Sequence, residues 1–259
     1  MDTQAEHSER DRSSEPRTGS EEGSRFSRVR GAVAAVRPWR RRVLVAGVAG
    51  TTALLLISAF VVQPFLIPSG SMEPTLQVGD RVLVNKLAYR SGAEPRRGDV
   101  VVFDGTGSFV REDLDANPLA APARWAASSL GLAEPPDTDF VKRVVGVGGD
   151  RVVCCDARGR LRVNGVPVDE TYLHPGDTAS EAPFDIVVPQ GTLWVLGDHR
   201  SRSSDSRDHL GSPGGGMVPV ERVIGRVDWL GWPPARIGGL EGTGAFDGVR
   251  APGRARAHG

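Results

Sequence analysis

Cysteine, lysine and histidine are scarce in this 259-residue chain, and each scarcity removes a kind of chemistry. The two cysteines, Cys154 and Cys155, are adjacent, so they build neither a multi-bridge disulfide framework nor a spaced thiolate metal site. They read as two separate thiols rather than a vicinal bridge. None of the five histidines is paired at zinc-ligand spacing. Charge of one sign is lacking too: 32 basic and 32 acidic residues give a formal charge of zero, which argues against a strongly basic nucleic-acid binder. Of the basic residues only Lys86 and Lys142 are lysine. A lysine amine can act as a base once neutral, whereas arginine does not give up its proton in proteins.

What the chain has in excess is glycine and proline, 33 and 19 residues, which favours many turns and short strands over long helices. Residues 1–42 are expected to be a disordered basic tail, because Ser, Glu, Arg and Gly bury too little apolar surface to offset ordering entropy. Arg40, Arg41 and Arg42 then lead into Val43 to Val62, twenty residues without a charge. As a helix that run spans about 30 Å, the hydrocarbon thickness of a bilayer. It is longer than the apolar core of a cleavable signal peptide and lacks an Ala-x-Ala exit, so it reads as an uncleaved anchor over 43–62. Seven arginines lie between Arg25 and Arg42, against Arg81 alone in the twenty residues after Val62. That asymmetry places the N-terminus in the cytoplasm and the rest outside a single-pass cell membrane protein.

Beyond the anchor the apolar runs are short and rich in valine: Arg81 to Val84, Asp99 to Phe103, Val141 to Val147, Arg151 to Val153, Leu161 to Val163, Thr192 to Leu196 and Val223 to Trp229. Turn residues bound them, as in Gly148-Gly149-Asp150 and Asn164-Gly165. The expected fold of residues 63–234 is a mainly β extracytoplasmic domain of barrel or sandwich type. Within it, 105–139 reads as an insertion in which Ala120 to Leu132 could form one helix. Residues 235–259 are expected to be a flexible tail.

The chemistry is expected just outside the anchor, where two prolines and a glycine set an irregular backbone around Ser71. A serine hydroxyl is a poor nucleophile until a base takes its proton. Lys142 sits in a strand whose alternation puts Phe140, Lys142 and Val144 on one face, so apolar neighbours should desolvate its amine. Moving it from about 10.4 toward 8 costs roughly 3 kcal/mol, within what burial supplies. Lys86 lies in a plain strand pattern and is the weaker base candidate.

Four segments now carry a resemblance: Pro68-Ser69-Gly70-Ser71-Met72, Arg97-Gly98-Asp99 through Phe103, Val141-Lys142-Arg143-Val144-Val145-Gly146, and Gly197-Asp198-His199-Arg200 through Arg207. In this order, after an anchor, they resemble the signature boxes of bacterial type I signal peptidases over roughly residues 40 to 230. The resemblance implies a Ser/Lys-dyad endopeptidase that removes signal peptides from exported preproteins at a lipid bilayer, without metal or cofactor. It assigns Ser71 as nucleophile, Lys142 as general base, and the Ser69 hydroxyl with the Ser71 N–H as the oxyanion hole. Ser203 would orient the lysine. Asp198, Asp205, Arg207 and Arg143 would support the site. Phe65, Ile67, Met72, Phe140 and Val141 would line shallow pockets for small substrate side chains, along which the peptide adds as a strand.

The last box departs from the commonest Gly-Asp-Asn-Arg-Asp-Asn-Ser in having His199, Ser201 and Arg202, which puts loop packing in question more than catalysis. A self-cleaving repressor of the same chemistry would need a helix-turn-helix pattern, and none precedes the domain. A catalytically dead, membrane-tethered binding module would have no need of both Ser71 and Lys142.

Overall fold

The computed structural model describes residues 22–110, 138–212 and 214–250. Contacts divide the chain into Met1–Thr52 and Ala53–Gly259. The first unit holds most of the one long helix among the described residues, α1 (Glu22–Phe60). It begins inside the segment expected to be a disordered tail, so helix rather than coil runs through 22–42; residues 1–21 lie outside the described residues. Val43, Leu44, Val45, Val48, Leu54, Leu56 and Ile57 on this helix are exposed. Taken over the described side chains alone, no helix is long and apolar enough to cross a membrane.

The second unit is mainly antiparallel β. Its strands are β1 (Val62–Leu66), β2 (Arg81–Asn85), β3 (Val100–Asp104), β4 (Asp139–Val147), β5 (Arg151–Cys154), β6 (Arg162–Val163), β7 (Val166–Pro167), β8 (Phe184–Val187), β9 (Thr192–Leu196), β10 (Val218–Pro219), β11 (Val223–Trp232) and β12 (Gly238–Gly239). One sheet runs β1-β2-β11-β3-β4-β9-β10, with β12 also on β11; the other runs β7-β6-β5-β8. The strand path does not close on itself among the described residues, so the barrel alternative gives way to two open sheets. Its two ends explain this. Pro64 in β1 and Pro219 in β10 lack the N–H that another ladder would need, which confines such strands to edges.

Alternation on β3 builds two cores at once. Val100 and Val102 face a cluster with Phe65, Ile67, Met72, Leu76, Val82 and Val84, while Val101 and Phe103 face one with Val144, Leu193, Val195 and Val218. A third cluster joins Val145, Trp194 and Leu196 to Val152, Leu161 and Val163 of the smaller sheet. Phe246 and Val249 are buried in it. Residues 235–250 are therefore built into the domain rather than a loose tail, because two large apolar side chains there find a core; residues 251–259 lie outside the described residues.

The β4–β5 turn uses Gly149 at φ 90°, a conformation open to glycine at no steric cost. Gly105 N–H donates to Thr138 O at 2.8 Å, closing the base of the expected insertion; its candidate helix at 120–132 falls in 111–137, outside the described residues. Cys154 and Cys155 are joined as a vicinal disulfide, in place of the two thiols expected from the sequence.

Candidate active site

Ser71 lies on a single 3-10 turn, Gly70–Met72, whose shape follows from the residues around it. Pro68 and Pro74 flank the turn and cannot extend a helix or a ladder. Met72, 1% exposed, anchors it in the core beneath, and Glu73 N–H closes it onto Gly70 O at 3.1 Å.

Lys142 reaches the same point from β4. Register with β3 places it opposite Val101, on the face shared with Phe103 and Phe140. Its Nζ is 2.8 Å from Ser71 Oγ, and the two residues are only 4% and 7% exposed. Burial pushes the amine down from 10.5 to about 8, against the pull of the Asp205 and Asp198 carboxylates. Ser69 Oγ lies 3.4 Å from Ser71 Oγ, a long contact. Lys86 is elsewhere, donating to Gln63 Oε1 at 2.8 Å.

The expected support residues form two ion pairs beside Ser71 and Lys142. Arg143 grips Asp198 at two points, Nε–Oδ1 2.8 Å and Nη2–Oδ2 2.6 Å, and donates to Gly98 O at 2.8 Å. Arg207 likewise holds Asp205 at 2.8 and 2.9 Å, while Asp205 Oδ2 accepts from Gly197 N–H at 3.0 Å. The loop after β9, which has a single 3-10 turn at Arg200–Arg202, is thus fastened to its surroundings by fixed charges.

Sequence reasoning missed several members of this network. Arg200 is buried and paired with Glu170, and it also donates to Gly197 O and Ala179 O. Tyr172 lies under the Arg143 guanidinium at 4.1 Å, and Thr75 Oγ1 donates to Asp198 Oδ2 at 2.5 Å. Arg200 lies inside a quoted box and was open to notice; nothing local marks Glu170, Tyr172 or Thr75.

Two expectations meet a different geometry. Ser203 Oγ is buried with no hydrogen-bond partner among the described residues, so the bond expected between it and Lys142 is not made. It wedges against Gly197, where a Cβ would stand 2.2 Å from Ser203 Oγ and 2.5 Å from Ser71 O. Phe65, Ile67 and Met72 are at most 4% exposed and pack in the core, because they point inward from a strand edge and a tight turn; Phe140 and Val141 alone of the five pocket candidates are half-buried. Residues 139–142 of β4 pair with β3 on one side, and the β9 ladder begins only at Arg143, which among the described residues leaves a short free strand edge beside Lys142.

No histidine bonds Ser71 Oγ among the described residues. His199 approaches Gly70 O and Glu73, and His209 stacks on Phe109. Glu73, His174 and His199 bring one potential ligand atom each within 4.8 Å of one another. The two imidazoles, however, are parallel, with centroids 3.8 Å apart and planes 3° off. Ring lone pairs lie in the ring planes, so one cation would meet both only after one ring turned. A cavity of about 690 Å³ lined by Arg96, Arg97, Gln190, Thr192, Thr243 and Phe246 includes neither Ser71 nor Lys142.

A mainly antiparallel scaffold presenting a serine hydroxyl to a buried amine has the equipment of a serine endopeptidase. Residues 39–232 match the family described as "Signal peptidase, peptidase S26", and the chain belongs to that family. It is 38% identical over 239 residues to a "Probable signal peptidase I" of Mycobacterium leprae, covering 81% of each chain. It is 39% identical over 228 residues to a "Signal peptidase I" of Mycobacterium tuberculosis, covering 78% of this chain and 77% of that one. A crystal structure of a signal peptidase I from Enterococcus faecalis aligns with a TM-score of 0.33 at 23% identity, over 52% of this chain and 97% of that one. The protein is a serine endopeptidase of the signal peptidase type.

Proposed function

We propose that this chain is a membrane-anchored endopeptidase that removes N-terminal signal peptides from exported preproteins, with Ser71 as nucleophile and Lys142 as general base. The observation that carries the reading is the 2.8 Å approach of a buried lysine amine, held near pKa 8, to a buried serine hydroxyl. At pH 7 an amine of that pKa is neutral about a tenth of the time, enough to serve as a base without further activation.

The substrate lies extended along the free edge of residues 139–142, adding as a strand. Half-buried Phe140 and Val141 meet its small side chains. Neutral Lys142 accepts the Ser71 proton as Oγ attacks the scissile carbonyl. The Ser71 N–H and the Ser69 hydroxyl donate to the oxyanion. Lys142 passes the proton to the departing amine, and the acyl-enzyme remains on Oγ. Lys142 then deprotonates a water, which hydrolyses the ester and frees Ser71. Arg143–Asp198 and Arg207–Asp205 hold the loop that backs this site. The unpaired Ser203 hydroxyl has spare hydrogen-bonding capacity close to the dyad, which suits a residue that steadies the lysine as it changes charge.

The anchor is the uncharged run Val43 to Val62, of which α1 carries Val43 to Phe60 while Val62 already opens β1. Those eighteen helical residues, including Ser58 and Ala59, which fall outside the described side chains, reach about 27 Å, within the length that spans a bilayer core. The arginines from Arg25 to Arg42 favour a cytoplasmic N-terminus and an extracytoplasmic catalytic domain in the cell membrane. The test is cleavage of a labelled preprotein by detergent-solubilised native protein, Ser71→Ala and Lys142→Ala. Both variants are expected to be inactive; equal cleavage by all three overturns the dyad.

A further inference from the structure

His199 holds the backbone on both sides of Ser71. Its own N–H donates to Ser71 O at 3.1 Å, and its ring Nδ1 lies 3.2 Å from Gly70 O. A carbonyl oxygen only accepts, and the other neighbour of Nδ1, Glu73 Oε2 at 3.5 Å, is a carboxylate oxygen, so the proton sits on Nδ1. The His174 ring covers one face of the imidazole at 3.8 Å, and the residue is 6% exposed, so the ring has little room to swing away.

The Gly70 carbonyl and the Ser71 N–H belong to the same rigid peptide unit, in which they point in opposite directions. Whatever grips Gly70 O therefore aims the Ser71 N–H. Glycine at position 70 gives this unit more rotational freedom than another residue would, so the grip matters here. Among the described residues only one other bond reaches that oxygen, from Glu73 N–H at 3.1 Å. An oxyanion donor lowers the barrier only when directed at the place where charge develops.

We propose that His199 is a positioning residue for peptide-bond cleavage: its Nδ1–H, bonded to Gly70 O, orients the Ser71 N–H toward the oxyanion. The inference rests on the Ser71/Lys142 reading above. His199 neither touches Ser71 Oγ nor relays a proton; it sets the direction of a neighbouring dipole. An asparagine amide N–H reaches about as far as Nδ1 and can make the same bond, which distinguishes hydrogen bonding from mere bulk at this position.

The experiment compares steady-state cleavage of a signal-peptide substrate by the full-length native protein, His199→Ala, His199→Asn and Ser71→Ala, with thermal unfolding of each. The backbone N–H of residue 199 survives both substitutions, so only the ring is tested. His199→Ala is expected to lose roughly tenfold to a hundredfold in kcat with KM within about twofold, less than the loss of an oxyanion donor outright. His199→Asn is expected to recover most of that loss. Native kcat in His199→Ala, a change confined to KM, or equal losses in the Ala and Asn variants each overturn the positioning role while Ser71→Ala is inactive. Cleavage by Ser71→Ala at the native rate overturns the dyad itself, and this inference with it.

Discussion

Arg143 and Asp198 form a two-point ion pair with side chains 4% and 0% exposed, and each adjoins a residue of the site in sequence: Lys142 on β4 and His199 in the loop after β9. The pair therefore ties the strand that carries Lys142 to the loop behind Ser71. Removing one partner leaves the other charge buried without compensation, which typically costs about 3–5 kcal/mol. Asp198→Ala is expected to lose that much stability in denaturant unfolding. A loss below about 1 kcal/mol, the range of an exposed pair, would show that this pair is not holding the loop.

The acid limb of the activity profile follows from the lysine. Because burial lowers Lys142 to about 8, activity should rise with pH through that value and fall as the amine protonates below it. Asp139, held up to about 7 by burial and by the Asp104 carboxylate, is the other group beside the free edge that titrates in this range. Asp139→Asn should leave the limb near 8 in place, and a limb that moves with this substitution would reassign it. The same lysine shift bears on stability. The unfolded chain keeps the lysine proton up to about 10.5 and the folded chain only to about 8, so stability from this group should increase with pH across that window.

Gly197 has no room for a methyl group. An added Cβ would sit 2.5 Å from the Ser71 carbonyl oxygen and 2.2 Å from Ser203 Oγ, and the backbone oxygen cannot turn aside as a flexible side chain can. Gly197→Ala should displace the Ser71 turn from Lys142 and lower kcat on the order of 10²-fold, the usual cost of a misplacement near 1 Å. Unchanged kcat would mean that the turn and loop slide apart freely.

Ser203→Ala separates two roles of one hydroxyl. Since its buried Oγ has no partner among the described residues, deletion should leave the unfolding free energy unchanged or raised, by at most about 1 kcal/mol. Cleavage should nevertheless fall if the hydroxyl steadies Lys142 during turnover. A variant that is both less stable and fully active would assign Ser203 to packing alone.

The anchor is checked by extraction. Native protein in membranes should resist alkaline carbonate and require detergent for release, whereas a variant with two charges placed in the run, Val48→Arg and Leu55→Arg, should be released. Release of the native protein by carbonate would show that 43–62 does not span the bilayer.

Much of the β scaffold was legible from turns and valine runs, because a strand between glycine-rich corners is a local event: β2, β4 and β9 appear within two residues of their expected limits. The strands that were not legible are β1, β7, β8, β10 and β12. Three of these have two residues each, too few to show a period, and β1 begins where the apolar run ends. The tail after 235 misled for a related reason: Phe246 and Val249 are isolated apolar residues among glycines, and only their docking into a distant core gives them meaning.

Composition and order alone determined that the chain carries one bilayer-length run, a turn-rich β domain, and a serine and a lysine in the four segments on which the family likeness rests. These are properties of neighbours along the backbone. What tertiary structure decided is every relationship across distance: Lys142 against Ser71, the carboxylates that oppose the lowering of its pKa, the grip of His199 on Gly70, and the core burial of three expected pocket residues. A side chain's protonation state and direction depend on which surfaces exclude water around it, and that is set by strand register and loop docking between segments 71 to 129 residues apart.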